Sequence, residues 1–413
     1  MDILYITLSE PRLSESGIYP DLLRALKRAS HHITIVYAAS PRKQKKTELS
    51  EENGVSVLSV VVGENFDVGL IQKGINILKM EPLLKKAIGR YLKGRHFDLC
   101  IYATPPVTFA GVVQYSKRLF GAETFLMLKD IFPQNAVDIG LFKEGSLIHR
   151  YFKYKEKKLY ALSDHIGCMS EGNLKYIREH EPWLEERKLL VFPNTIEVSN
   201  LSDSREDADG IEIGTHGSEG KASGDRASVH RSTRFVFGGN LGKPQAIEWL
   251  ISAISDRRLS EREDIEFYIV GQGSEKEKVV KAAAEIRHLH FMEHMTPEEY
   301  DRLMAGMDVG IISLDHRFTI PNFPSRILAY MKAGKPVLAC TDAVTDIREL
   351  VEDKAVCGLW VRSDDIDGFV GAVCKLSADE RLRTEMGRRG FQYLKEHFNV
   401  ELSVKLLENS NGA

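Results

Sequence analysis

The sequence has few cysteines, and their positions form no pattern that indicates a disulfide or a metal site. Their odd number and wide spacing argue against a disulfide framework and against a Cys-x-x-Cys metal pair. The 13 histidines show no metal-ligand spacing either. We therefore expect no bound metal, and a reducing compartment in which the cysteines are small buried side chains. The five are Cys100, Cys168, Cys340, Cys357 and Cys374.

Long apolar runs and a strong net charge are also absent. No stretch approaches the roughly 18 uncharged apolar residues that a transmembrane helix needs. The N-terminal segment MDILYITLSEPR lacks the basic start of a signal peptide and predicts a first β-strand. With 56 Lys and Arg against 59 Asp and Glu, the composition argues against an acidic tail and a nucleic-acid partner. We expect a soluble or peripheral protein.

The near-neutral total conceals a difference between the two halves of the chain. Residues 1–195 have 28 basic and 22 acidic side chains (+6), whereas residues 196–413 have 28 and 37 (−9). Two basic amphipathic stretches, 73–95 and 143–158, account for most of the N-terminal surplus. Basic residues beside apolar or aromatic ones suit an anionic membrane surface. A helix with one buried face and one solvated face explains each stretch equally well.

Short apolar runs alternate with helical patterns in both halves, which predicts an α/β protein. Seven strands are predicted between residues 2 and 192 and five between 234 and 339, after which helical periodicity dominates to the C-terminus. Continuous apolar strands separated by helices indicate doubly wound parallel sheets. We predict two such domains, residues 1–195 and 234–390. Residues 196–233, rich in Ser, Gly and Asp, predict a flexible linker or surface insertion.

Three motifs in the second half follow predicted strands. FGGNLGKPQAIEWL (237–250) places glycines, and then Lys243, before a helix, which is a pattern that can bind phosphate. GQGSEKEKV (271–279) also opens a helix. FPSRILAYMKAGKPVLA (323–339) begins a helix near Ser325 with Arg326 in its first turn, at the edge where parallel strands end. Tight turns and an exposed surface charge remain alternative interpretations.

Two motifs in the first half also lie at the carboxyl ends of predicted strands. LKDIFPQNAVDIGLF (128–142) places Lys129 and Asp130 there, where a carboxylate could accept a proton or stabilise a developing cation. The alternatives for this pair are an ion pair between neighbours and a helix cap. SESGIY (14–19) is the first strand-to-helix turn, in which Gly17 permits a close backbone approach.

Taken in order, these motifs resemble glycosyltransferase family 4, which has the GT-B fold. The resemblance covers nearly the whole chain except 199–233. VFPN (191–194) before the linker and the single glycine of the first turn, Gly17, are further landmarks. The motif at 128–142 resembles the WbuB-like subgroup, which adds amino sugars or deoxy-sugars in O-antigen and capsule assembly.

The resemblance implies two Rossmann-like domains that face a central cleft, with a C-terminal helix (391–413) that crosses back to the first domain. It also implies a retaining, metal-independent hexosyl- or N-acetylhexosaminyltransferase without a cofactor. The donor would be a nucleoside-diphosphate sugar, of the UDP type, and the acceptor a polyprenyl-diphosphate-linked glycan at the cytoplasmic face of the cell membrane. The implied site residues are Asp130 and Lys129 for catalysis, Ser16 and Gly17 on the acceptor side, and Gly239, Asn240, Lys243, Gln245, Gly271, Ser325 and Arg326 for the donor.

The chain departs from the family pattern at several positions. Pro321 and Ala329 stand where many members have two glutamates, and the usual His-Asp of the first domain reads Lys129–Asp130. Asn240 and Gln245 replace an arginine and a lysine, respectively. Two alternatives therefore remain open. One is a sugar-nucleotide epimerase on the same fold, and the other is a degenerate, non-catalytic partner protein that binds a sugar nucleotide.

Overall fold

The computed structural model describes residues 1–42, 44–63, 70–198 and 232–411, with side chains described throughout except in 70–78. Most of the predicted linker lies outside these ranges, and so do the side chains at the start of the first basic stretch. Within the described ranges, no helix is long and apolar enough to cross a membrane.

Eight strands form the sheet of the first domain. They are β1 Asp2–Thr7, β2 His32–Ala39, β3 Glu48–Glu52, β4 Val55–Val61, β5 Leu99–Ala103, β6 Glu123–Leu128, β7 His165–Cys168 and β8 Leu189–Val191. Their order across the sheet is β3-β4-β2-β1-β5-β6-β7-β8, and every neighbouring pair is parallel except β3 and β4. The parallel sheet predicted from the apolar runs is therefore confirmed.

Strand β3 is not among the predicted strands. Its residues, Glu48–Glu52, have no buried member, because β3 lies at the edge of the sheet and pairs with β4 alone. Asn53 and Gly54 have positive φ values of 51° and 69° and form the tight turn between β3 and β4. An Asn-Gly pair is typical of such hairpins. The Asn-Gly turn, rather than the composition of the strand, is thus the feature of the sequence that indicates this hairpin.

The described residues of the first domain contain six α-helices. Ser146 and Ser170 begin two of them, each accepting a hydrogen bond from a backbone N–H three residues later, as N-cap residues do. Gly121 ends another with a φ of 70°, which favours glycine. The helices are α1 Ile18–Arg28, α2 Leu70–Tyr91, α3 Ala110–Phe120, α4 Gln134–Asp138, α5 Leu147–Leu162 and α6 Glu171–His180, with 3-10 turns at Val107–Phe109 and Glu186–Lys188.

Six strands form the sheet of the second domain, and all of its neighbouring pairs are parallel. They are β9 Thr233–Asn240, β10 Ile265–Gln272, β11 Leu289–Met292, β12 Val309–Ser313, β13 Val337–Thr341 and β14 Gly358–Arg362. Their order is β11-β10-β9-β12-β13-β14. The helices are α7 Ile247–Ile254, α8 Arg257–Ser260, α9 Lys276–Glu285, α10 Pro297–Ala305, α11 Arg326–Lys332, α12 Ile366–Ala378, α13 Glu380–His397 and α14 Val400–Ser410, with a 3-10 turn at Lys243–Gln245 and a π-helix at Glu349–Lys354.

Strand β14 is not among the predicted strands, because helical periodicity dominates the sequence after residue 339. Gly358–Arg362 pairs with β13, and a Cβ atom at Gly358 would lie 2.0 Å from the carbonyl oxygen of Val337. Glycine is thus needed for the close approach of the two strands. The strand has only five residues and follows a helical segment directly, so its apolar run is too short to be recognised.

The chain crosses between the domains twice at one place. The N–H of Ile196 donates to the carbonyl of Phe398, and the N–H of Val400 donates to the carbonyl of Ile196, both at 3.0 Å. The hydroxyls of Thr195 and Ser403 are hydrogen-bonded at 2.7 Å. Helix α14 then packs against α1, on the sheet of the first domain.

Candidate functional site

The carboxyl ends of the two sheets face a single cleft of about 900 Å³. Ligands of doubly wound sheets bind at these ends, where strands give way to loops. The volume is in the range of ligand pockets. Most residues singled out in the sequence line the cleft: Ser16, Gly17, Lys129, Asp130, Gly239, Asn240, Gln245, Ser325 and Arg326.

Lys243 and Gly271 are not among the residues that line the cleft. Lys243 begins a 3-10 turn and is exposed, whereas the next two residues, Pro244 and Gln245, face the cleft. Gly271 is the penultimate residue of β10, and a Cβ atom there would lie 1.9 Å from the carbonyl oxygen of Gly239. Gly271 therefore permits β9 and β10 to approach closely. Its position indicates a packing role.

Asp130 follows β6, and its carboxylate is held by a neighbouring amide. The Nδ2 atom of Asn135, in α4, donates to both carboxylate oxygens, at 2.7 and 2.8 Å. Part of Asp130 faces the cleft, but protein surrounds the carboxylate on most sides. Burial raises the pKa of Asp130 to about 7, opposed by the hydrogen bonds from Asn135 and the Ile131 N–H and reinforced by the charge of Glu156. This carboxyl group therefore exchanges its proton near neutral pH.

Lys129 lies beside Asp130 in sequence, but the two side chains form no ion pair in the described structure. The Nζ atom of Lys129 lies 3.4 Å from the carbonyl oxygen of Phe192 and 5.2 Å from the centre of its ring. Burial lowers the pKa of Lys129 to about 7. The alternative of an ion pair between these neighbours is wrong, and so is that of a helix cap, because Pro133 precedes α4. The first domain thus brings two groups that titrate near pH 7 to the cleft.

Arg326 is the main cationic group that the second domain brings to the cleft. Its Nη2 atom donates to Oε1 of Gln245 at 2.5 Å, and its guanidinium lies 4.4 Å from the centre of the Phe237 ring. Burial lowers the pKa of Arg326, and no carboxylate of the described residues contributes to it. The Nη1 atom is buried and has no hydrogen-bond partner. Because a buried guanidinium needs hydrogen bonds and a counter-charge, this group is suited to a bound anion.

Tyr330 fixes the helix that carries Arg326. Its hydroxyl accepts from the N–H of Gly238 at 3.3 Å and donates to the carbonyl of Ile311 at 3.0 Å. A Cβ atom at Gly310 would lie 2.3 Å from the Tyr330 ring, so this glycine makes room for it. Helix α11 is therefore held against the sheet by a buried aromatic side chain, which orients Arg326.

Three asparagines in the cleft are functional candidates that the sequence motifs did not single out individually. Buried amide atoms without a hydrogen-bond partner occur at Asn135 (Oδ1), Asn194 (Oδ1) and Asn322 (Nδ2). Buried polar atoms are otherwise nearly always paired, so these suit hydrogen bonds to a polar ligand. Asn194 lies in the VFPN landmark and Asn135 in the 128–142 motif, but no local pattern shows where their side chains point.

The described residues contain no cluster of three or more His, Cys, Asp or Glu side chains that could hold a metal ion. The polar groups that line the cleft are instead amides, hydroxyls, four carboxyl groups and four cationic side chains. The carboxyl groups belong to Glu10, Glu15, Asp130 and Asp301, and the cations to Arg12, Lys129, Arg326 and Lys332. Such a set can bind a polar anionic ligand and exchange a proton.

Comparison with known proteins relates the second domain to glycosyltransferases. Residues 232–379 match the family model for glycosyl transferases group 1. The chain is 25% identical over 268 residues to a Pseudomonas aeruginosa protein described as a probable glycosyltransferase, WbjE. That match covers 64% of this chain and 62% of the relative, which is less than two thirds of its length.

Solved structures share the fold of the whole chain, which is GT-B. The sucrose-phosphate synthase of Thermosynechococcus elongatus has a TM-score of 0.74 and 16% identity, and the alignment covers 99% of this chain and 98% of that one. WaaG, described as a glycosyltransferase involved in lipopolysaccharide biosynthesis, has a TM-score of 0.66 and 13% identity, covering both chains fully. Anabaena HepE in complex with UDP has a TM-score of 0.64 and 13% identity, covering 99% of each chain. The predicted two-domain architecture is confirmed.

Proposed function

We propose that the protein is a retaining, metal-independent glycosyltransferase of family 4. It transfers a sugar from a nucleoside diphosphate, of the UDP type, to a lipid-linked glycan in the synthesis of O-antigen, capsule or another surface polysaccharide. The observation that carries the proposal is the meeting of Arg326 from one domain with Lys129 and Asp130 from the other in a single cleft. The glycosyl transferases group 1 domain supports it, as does UDP bound to the structural neighbour HepE.

In this proposal the second domain binds the nucleotide through its phosphates. Arg326 pairs with the diphosphate, and its charge stabilises the diphosphate as the bond to the anomeric carbon breaks. Gln245 holds one edge of the guanidinium and so leaves Nη1 free to donate to a phosphate oxygen. A fixed guanidinium supplies the positive charge that a metal ion would otherwise bring.

The first domain binds the acceptor and the reacting sugar. As the bond between the anomeric carbon and the diphosphate oxygen breaks, the acceptor oxygen bonds to the anomeric carbon on the same face, and its hydroxyl proton passes to the departing diphosphate oxygen. Asp130 stabilises the cationic sugar in the transition state as a carboxylate, which exists at and above about pH 7. Lys129, with a pKa also near 7, donates a hydrogen bond to the sugar or the acceptor.

An exposed apolar surface on the first domain supports contact with an anionic membrane. Four of the large exposed hydrophobic side chains lie on α5, where Leu147 is 85% exposed, and Leu141 precedes this helix in the chain. The Nζ atom of Lys157, in α5, lies 5.8 Å from the centre of the Trp183 ring, so Trp183 lies beside this helix. We call this set the α5 surface: Leu141, Leu147, Ile148, Tyr151, Tyr154 and Trp183.

The two basic stretches predicted for membrane contact differ in how far their apolar side chains are buried. Glu81 in α2 contacts Lys155 in α5 as well as Lys85 of its own helix, and α3 packs against both α2 and α5. In α2 the apolar residues Leu84 and Ile88 are buried in the core, as an ordinary amphipathic helix requires. In this proposal, α2 contributes charge, whereas α5 inserts apolar side chains into the lipid.

Leu147→Glu combined with Ile148→Glu is expected to reduce binding to phosphatidylcholine–phosphatidylglycerol vesicles at least about ten-fold, since each buried aliphatic side chain is worth about 1.5–3 kcal/mol. Co-sedimentation measures the bound fraction. Val280→Glu is the control, because Val280 is also apolar and exposed but lies in α9 of the second domain. Equal vesicle binding by the double variant and the control would exclude the α5 surface as the lipid contact.

Asn135→Ala is expected to move the acidic limb of the pH profile of kcat/KM upward by about one unit. The hydrogen bonds from Asn135 lower the pKa of Asp130, so their loss leaves the effect of burial unopposed. One unit corresponds to about 1.4 kcal/mol, within the range of a hydrogen bond to a charged group. Activity should fall as the pH drops through about 7 in the wild type and at a higher pH in the variant. An unchanged acidic limb would show that Asp130 does not control it.

Mass spectrometry of products tests the proposed reaction. The purified protein is incubated with UDP-hexoses or UDP-N-acetylhexosamines and a polyprenyl-diphosphate-sugar acceptor. An acceptor heavier by one sugar supports the proposal. Conversion of the donor without an acceptor would indicate an epimerase instead, and nucleotide binding without any turnover would indicate a non-catalytic partner protein.

A further inference from the structure

The first domain holds one segment of the second domain through Asp138, at the end of α4. The Asp138 carboxylate accepts from the N–H of Thr319 at 2.7 Å and from its hydroxyl at 2.9 Å. On its own side, Gln134 Nε2 donates to Oδ1 of Asp138 at 2.8 Å, which orients the carboxylate from within α4. Thr319 belongs to the segment 314–325, which connects β12 to α11.

Helix α6 holds the same part of the second domain from a neighbouring position. The Nδ2 atom of Asn173 donates to the carbonyl of Pro321, two residues after Thr319. The N–H of Gly172 donates to the carboxylate of Asp346 at 2.7 Å. Two elements of the first domain thus contact residues 319–321, and the contact of Asp138 is the nearer one in sequence to Asp130.

The segment held in this way forms one wall of the cleft. Phe318, Asn322 and Phe323 line the cleft, and Arg326 follows directly in α11. The N–H of Asp315 donates to the carbonyl of Pro244 at 3.0 Å, which ties the start of the segment to the glycine-rich loop. Any displacement of this segment would therefore move the wall of the cleft that leads to Arg326.

Asp138 also belongs to the loop that carries the candidate catalytic residue. The chain runs from Asp130 through α4 to Asp138, and Asn135 in the same helix holds the Asp130 carboxylate. One short element therefore contacts Asp130 at one end and the wall that leads to Arg326 at the other. The distance between Asp130 and Arg326 therefore depends on how α4 is fixed to the segment 314–325.

We propose that Asp138 is a positioning residue, which docks the segment 314–325 onto α4 and thereby sets the distance between Asp130 and Arg326 across the cleft. This inference rests on the proposed function, because it assigns a role in that reaction. Thr319 is exposed to solvent, so the contact contributes little to global stability. Its effect is on geometry, to which transfer between two bound groups is sensitive.

Asp138→Ala tests the proposal, with Asp138→Asn as the conservative variant. Asparagine keeps an oxygen that accepts from the Thr319 N–H, so it should restore most of what alanine removes. For Asp138→Ala we expect amide hydrogen exchange in peptides covering 316–326 to accelerate, and kcat to fall about ten-fold or more. KM for the nucleotide-sugar and Tm should stay unchanged. Glu179→Ala, at an exposed position of α6, is the control and should change none of these quantities.

The two readouts separate this inference from the proposed function. Unchanged hydrogen exchange at 316–326 in Asp138→Ala would overturn the docking role, even in an active transferase. A fall in kcat that is matched by a fall in Tm would also overturn it, since the effect would then be structural. Faster exchange in a protein whose wild type transfers no sugar would support the docking contact and overturn the proposed reaction.

Discussion

Asp130→Asn is expected to reduce sugar transfer by about 10³-fold or more, the largest effect of any single change in the cleft. The amide has nearly the shape of the carboxyl group and can still meet the side chain of Asn135. It carries no negative charge, however, and cannot stabilise a cationic sugar or accept a proton. Product formation measured by mass spectrometry under saturating donor gives the loss in kcat.

The same substitution should leave Tm unchanged or raise it at pH 8. Burial raises the pKa of Asp130 to about 7, so the folded protein binds this proton more tightly than the unfolded chain does. Ionisation therefore destabilises the fold as the pH rises above the ordinary carboxyl pKa, and the penalty is fully present above about 7. Asparagine removes this penalty. A gain in stability combined with a loss of activity is typical of a functional residue rather than a structural one.

Asp164→Asn provides the contrast within the same domain. Asp164 accepts from Lys117 Nζ at 2.6 Å and from the N–H and hydroxyl of Thr124, and these contacts hold its pKa below the usual range despite partial burial. We expect this variant to lose about 1–3 kcal/mol of stability and to keep its kcat. If Asp130→Asn instead behaves like Asp164→Asn and remains active, the catalytic role of Asp130 is wrong, and a non-catalytic binding protein becomes the better interpretation.

The fold was largely predictable because its strands are buried on both faces. A central parallel strand such as Glu123–Leu128 has five consecutive buried residues, which leaves a continuous apolar run in the sequence. The edge strand Glu48–Glu52 has none, and Gly358–Arg362 is short and ends in a charge. Burial on both faces, rather than strand propensity, thus produces the apolar run by which a strand is recognised in a sequence.

The candidate site was predictable to the extent that it lies on strand ends. Lys129, Asp130 and Gly239 follow apolar runs directly, so the parallel topology alone brings them to one edge. Lys243 lies outside the cleft because a 3-10 turn carries it outward, and no local pattern specifies that rotation. The contact of Asp138 with Thr319 joins residues 181 positions apart, so it depends on how the two domains meet. Such contacts need the tertiary structure.

Arg326→Ala is expected to weaken nucleoside-diphosphate binding by about 30- to 1000-fold, which corresponds to about 2–4 kcal/mol for a buried charge-assisted contact with phosphate. The loss should be similar for UDP and GDP, because the guanidinium contacts the phosphates and not the base. Isothermal titration calorimetry gives the affinities directly, and the thermal shift produced by each nucleotide provides a second measure. Arg326→Lys should recover part of the loss, since lysine keeps the charge but lacks the planar fork that Gln245 holds.

Lys243→Ala is the matched control for Arg326→Ala, because it removes a cation from the same glycine-rich region without opening the cleft. Lys243 is exposed and does not line the cleft, so we expect less than about a three-fold change in affinity, as for a solvated surface charge. The two variants therefore distinguish a buried anion site from general attraction by positive charge. If Lys243→Ala loses nucleotide binding and Arg326→Ala keeps it, the phosphates bind at the outer turn, and the cleft between the domains must serve a different ligand.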